Sequence, residues 1–141
     1  MASSTQFIRL NSDWNADPVD PQPKISFKDN DLTLTILLNA LQYPRFTNGD
    51  TGALAFGNCS RYRLGETNDE GWYHYGQCRF SHIAPNWGEF YEIIGDPKLD
   101  ESPTDWKDGP CPSIKNTRHF LFYFKDETFE CTAEKLRIIL P

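Results

Sequence analysis

The chain has 141 residues, a net charge of −6 at pH 7 and a pI near 5.0, a length that suits one domain whose core needs neither a metal nor disulfides. Its acidic balance excludes a general nucleic-acid coat, although a local basic patch can survive within an acidic whole. The opening MASSTQF has no signal-peptide pattern, and no stretch approaches the roughly 20 apolar residues that span a bilayer, so a cytoplasmic location without membrane contact is expected.

Residues 1–23 read as an N-terminal arm. A short edge strand is expected at Gln6–Leu10, followed by a polar, extended segment carrying Pro18, Pro21 and Pro23, because proline fixes φ and biases the residue before it away from the helix. Trp14 anchors the arm on the rest of the chain. Residues 24–141 form a single β domain. Lys24–Lys28 and Leu32–Leu38 make a hairpin across the turn-forming Asp29-Asn30-Asp31, and a second strong turn lies at Asn48–Gly52.

Ala53–Leu64 and Trp72–Phe80 are expected to pair around the turn GETNDEG. One face then carries Leu54, Phe56, Tyr62, Leu64, Trp72, His74, Cys78 and Phe80, and is apolar enough to be buried. Its reverse carries Cys59, Arg61, Arg63, Tyr73, Tyr75, Gln77 and Arg79. Gly88–Gly95 reads as another strand. Residues 96–116 then form a proline-rich acidic loop containing Trp106, of a length that is uncommon in a compact domain and tends to carry function.

The clearest alternation lies in Arg118–Glu134, RHFLFYFKDETFECTAE. Phe120, Phe122 and Phe124 share a face, as do Phe129, Cys131 and Ala133, because strand side chains alternate. A four-residue loop from Lys125 to Thr128 pairs Phe124 with Phe129, Phe122 with Cys131 and Phe120 with Ala133. The opposite, solvated face sets Tyr123 against Glu130, Leu121 against Thr132 and His119 against Glu134. Apolar parity then moves from odd positions at Ala133 to even ones at Leu136, Ile138 and Leu140, which requires a bulge or a break. With 14 % aromatic residues and no strong helical pattern, the fold class is all-β and mainly antiparallel: a sandwich or barrel of seven to eight strands with a long proline-rich loop.

Four cysteines at irregular spacing do not make a secreted disulfide framework, and reduced thiols are expected. Asn58-Cys59-Ser60 fits a glycosylation sequon in form only, since it sits within an expected strand. His74, Cys78 and His82 would align on a helix, but in a strand the two histidines stand roughly 26 Å apart, so neither metal nor cofactor is expected. No nucleophile elbow, phosphate loop or HExxH run occurs, and no catalytic residue is assigned.

The face with Arg61, Arg63, Tyr73, Tyr75 and Arg79, bordered by Trp106, combines guanidinium forks with rings that stack. Arginine and tyrosine are also enriched at protein interfaces. The expectation is a non-catalytic recognition or inhibitory protein that binds a protein partner, open to homo-oligomerisation. One alternative is a binder of a small anionic ligand, a nucleotide or sugar; another is a small hydrolase-like enzyme using His119 and Glu134. A large isologous interface would favour the first, and a concave pocket over the arginines the second. The C-terminal stretch RHFLFYF-KDETFEC-A resembles that of small bacterial proteins of unassigned function, which implies no site and no activity.

Overall fold

The fold follows from period-two alternation in strands most of which present aromatic and aliphatic residues to one side. A computed structural model describes residues 5–66, 86, 88–95, 106–114, 117–125 and 127–141. Its strands are β1 (Gln6–Arg9), β2 (Lys24–Lys28), β3 (Asp31–Leu37), β4 (Thr51–Glu66), β5 (Phe90–Ile94), β6 (Lys107–Asp108), β7 (Arg118–Tyr123) and β8 (Glu127–Ile139). They form one eight-stranded sheet in the order β1-β5-β7-β8-β4-β3-β2, with β6 added to β4. Among the described residues every ladder is antiparallel and no helix occurs.

The all-β class with its seven to eight strands is therefore the observed one, but the sandwich-or-barrel expectation resolves into a single open sheet that curls on itself. Phe56 of β4 and Phe90 of β5 are separated by β8 and β7, which in a flat sheet means about 14 Å. Their ring centroids are 6.2 Å apart. The inner face thus wraps around Leu32, Leu34, Ile36, Leu54, Phe56, Phe90, Phe120, Phe122 and Phe129, all buried. Each such side chain contributes about 1.5–3 kcal/mol on leaving water.

Residues 11–23 run from the end of β1 to the start of β2, the two outer strands. Asn15 donates its side-chain amide to the Gly88 carbonyl (2.7 Å), and Asp17 N–H bonds the Leu37 carbonyl (2.8 Å). Trp14, 2 % exposed, packs against Phe90 and Phe122 with centroids 6.2 and 6.0 Å away. The arm is thus part of the core.

The β2–β3 hairpin forms as the sequence suggests, with Lys28 opposite Asp31; Asp29 takes φ 54°, a left-handed conformation that aspartate tolerates better than most residues. The β7–β8 hairpin is displaced by two residues from the expected register. Phe122 faces Phe129, Phe120 faces Cys131 and Leu121 faces Glu130, and Phe124 N–H bonds the Glu127 carbonyl at 2.8 Å. The turn is therefore tighter than a Lys125–Thr128 loop. As far as Ala133 both faces of β8 are covered, so the expected wet face is wrong for Thr128, Glu130 and Thr132, which are buried, while Lys135, Arg137 and Ile139 beyond it are exposed. Beside them Tyr91, Ile93, Leu121 and Tyr123 form a second apolar cluster, with Phe7 packed against it.

Strand β4 pairs along one edge with β8 and along the other with β3 at 51–56 and with β6 at 61–62. Since a strand has two edges, the expected hairpin between Ala53–Leu64 and Trp72–Phe80 cannot run its length. Trp72–Phe80 itself lies outside the described residues, as do 96–105, while Lys107–Asp108 turn part of the expected loop into a strand. The change of parity expected after Ala133 occurs without a break in β8, and the register shift in the ladder lies on β4. Pairing shifts between Cys59 and Arg61, and Asn58 has φ 52°. Leu136 faces Phe56 and Ala133 faces Cys59, so both strands change face together around Asn58.

Candidate functional site

The outer face of the upper sheet half is set by register. Ile93, His119, Thr132, Arg61 and Asp108 lie opposite one another across β5, β7, β8, β4 and β6, and Tyr91, Leu121, Glu130 and Arg63 form the adjoining row. Even spacing along each strand keeps these side chains on one side. His119, Arg61, Arg63, Glu130 and Thr132 are thus neighbours although they come from three strands.

Glu130, fully buried, joins two of them. Its Oε2 accepts a hydrogen bond from His119 Nε2, and its Oε1 accepts one from Arg63 Nη1 at 3.4 Å. Burying a carboxylate is costly unless it is paired and hydrogen-bonded, and here both oxygens are engaged by cationic or polar donors. The partner of His119 is therefore Glu130 and not Glu134, whose Oε1 instead accepts from the Asn58 side-chain amide at 3.2 Å. Next to this group Ser60 Oγ donates to the Thr132 carbonyl (3.1 Å) and shares a hydrogen bond with the Thr132 hydroxyl.

Trp106 enters from the segment that carries β6. That segment runs along β4, with Gly109 N–H on the Ser60 carbonyl and Cys111 N–H on the Cys59 carbonyl, both at 2.9 Å. The guanidinium of Arg61 lies 4.1 Å above the Trp106 ring, and Trp106 in turn stands 6.4 Å from His119. Cation–π contact and stacking orient an arginine while leaving its N–H groups free to donate sideways. An open, polar pocket of about 310 Å³ results, lined by Ser60, Arg61, Asp108, Thr117, His119 and Thr132 with Pro112 and Ile114.

Of the residues singled out in the sequence, Arg61, Arg63 and Trp106 come together here. Tyr73, Tyr75 and Arg79 lie outside the described residues, as do His74, Cys78 and His82. The sequence did not point to Glu130, Ser60, Thr132 or Asp108 as members of the site. Cys59, expected beside the arginines, is in the main core, where the Cys131 thiol hydrogen-bonds to it and holds it below its usual value against burial. Burial pushes the Cys131 thiol well up. Compared with known protein families, with curated proteins and with solved structures, the chain matches none.

Proposed function

We infer that the protein binds a small anionic, hydroxyl-bearing ligand, a sugar acid or sugar phosphate, in the pocket above Arg61 and His119. The observation that carries this reading is the juxtaposition, around one open pocket, of the Arg61 fork held on Trp106 with the carboxylate of Asp108 opposite it in the ladder. A guanidinium takes a phosphate or carboxylate in two parallel hydrogen bonds, and a carboxylate accepts from sugar hydroxyls. A concave site over an arginine favours a ligand over a flat protein interface. At about 310 Å³ it sits at the low end of the roughly 300–1,000 Å³ usual for ligand pockets, which favours a monosaccharide over a nucleotide.

Thermal-shift and calorimetric titrations with glucose 6-phosphate, glucuronate and AMP test this. Wild type should bind at least one sugar anion, Arg61→Lys should weaken it by losing the fork, and Asp108→Ala should weaken sugar anions more than inorganic phosphate. Failure of all three ligands, or equal binding by Arg61→Lys and Arg61→Ala variants and wild type, rejects the site. The His119–Glu130 hydrogen bond favours a second reading: an imidazole oriented by a carboxylate can act as a base on a bound ligand. Product formation that His119→Gln abolishes while leaving binding intact would select it.

A further inference from the structure

We propose that the outer face of β2, β3, β4 and β8, in the sheet half away from the pocket, docks an extended acidic peptide segment of a partner protein. Register builds this face as it builds the site. Lys28, Asp31, Gly57 and Lys135 form one row across the four strands, Ser26, Thr33, Ala55 and Arg137 the next, and Lys24, Thr35, Ala53 and Ile139 the third.

The long side chains stand at the two sides. Lys24 and Lys28 on β2 and Lys135 and Arg137 on β8 are exposed, while Thr33, Thr35, Ala53 and Gly57 between them are half-buried and Ala55 is buried. Small side chains flanked by long ones make a trough. At its Gly57 and Lys135 end lies a depression of about 490 Å³ lined by Asp31, Ala55, Gly57, Asn58, Lys135, Leu136 and Arg137.

Charge and shape select the occupant. In these three rows four cations stand with a single carboxylate, Asp31, on a chain whose net charge is −6, so the patch is complementary to an anionic segment. From β2 to β8 is three strand spacings, about 14 Å, and from Lys24 to Lys28 about 13 Å. One extended chain with its side chains fits that width; a nucleic-acid duplex does not. A single strand fits the width, but none of the residues that make up the face is aromatic, and bases bind such grooves by stacking on rings. The threonine hydroxyls on the floor can instead donate to and accept from a peptide backbone.

The test uses the full chain and fluorescence anisotropy with a labelled peptide of alternating glutamate and serine, its glutamine counterpart, an oligothymidylate and phosphatidylserine vesicles. The glutamate peptide should bind, more weakly as salt rises, and the glutamine peptide should not. Lys135→Glu/Arg137→Glu and, separately, Lys24→Glu/Lys28→Glu should each weaken it by about tenfold or more, whereas Lys107→Glu, an exposed cation elsewhere, should not. Circular dichroism melts confirm that these surface variants are folded. No binding of the glutamate peptide, the same affinity in either double variant as in Lys107→Glu, or tighter binding of the oligonucleotide or vesicles than of the peptide overturns the proposal.

Discussion

At the scale of single residues, the centre of the molecule's chemistry is Glu130, a carboxylate with no exposed surface that accepts from both His119 and Arg63. Its position between two donors explains how an acidic side chain tolerates a site where desolvation alone would cost several kcal/mol. Removing it takes away an acceptor shared by two buried groups, a change of the kind that costs about 3–5 kcal/mol. Glu130→Ala is accordingly expected to lower unfolding stability by that amount in urea titrations, and Glu130→Gln by less, since an amide oxygen still accepts. A loss below about 1 kcal/mol for the alanine variant would show that the carboxylate does not hold the group together. Glutamates 130 and 134 look alike in the sequence. Only the register tells them apart.

At the scale of elements, Gly109 decides whether the segment carrying β6 can lie along β4. A Cβ at this position would stand 2.5 Å from the Cys59 carbonyl oxygen, a backbone neighbour that cannot yield cheaply. Gly109→Ala should therefore lift residues 106–114 from β4, separate Trp106 from Arg61 and abolish the sugar-anion binding proposed for the pocket, while stability falls by less than about 2 kcal/mol because the inner face is untouched. Tryptophan emission compared with a Trp106→Phe background, together with calorimetric titration, reads both effects; unchanged emission and binding would rule out the close approach. The same elements show what the sequence could reveal. Alternation correctly placed Phe120, Phe122 and Phe129 inward, because a period of two fixes the face. It could not fix the register, since a shift of two residues leaves every face unchanged, and that shift sets Thr132 in place of Glu134 opposite His119 and Glu130 on the diagonal. Cys59 was misplaced because β4 changes face at Asn58 and again at the Cys59/Arg61 shift, so the alternation on either side reads as continuous. The arginines were legible as a polar pair, but Asp108 and the approach of Trp106 depend on a contact between distant parts of the chain that leaves no local pattern.

At the scale of the whole molecule, an open curled sheet has to satisfy the gap between its outer strands, and the arm meets this need. It leaves β1, hydrogen-bonds to Gly88 beside β5, places Trp14 on Phe90 and Phe122, bonds to Leu37 of β3 and ends at β2. The arm is polar and proline-rich, but its one tryptophan, expected as its anchor, is among the most buried side chains of the protein. A tether would be dispensable, whereas a strap that completes the core would not. Trp14→Ala should cost about 3–5 kcal/mol, as expected for emptying a core site of that size, and the loss should appear in a single cooperative transition because the same ring touches residues of β5 and β7. Val19→Ala, in the same arm but 70 % exposed, should change stability by less than about 0.5 kcal/mol. Urea unfolding followed in parallel by far- and near-ultraviolet circular dichroism distinguishes the two cases: coincident, destabilised transitions for Trp14→Ala support the strap, and wild-type stability for that variant would return residues 11–23 to the status of a tether.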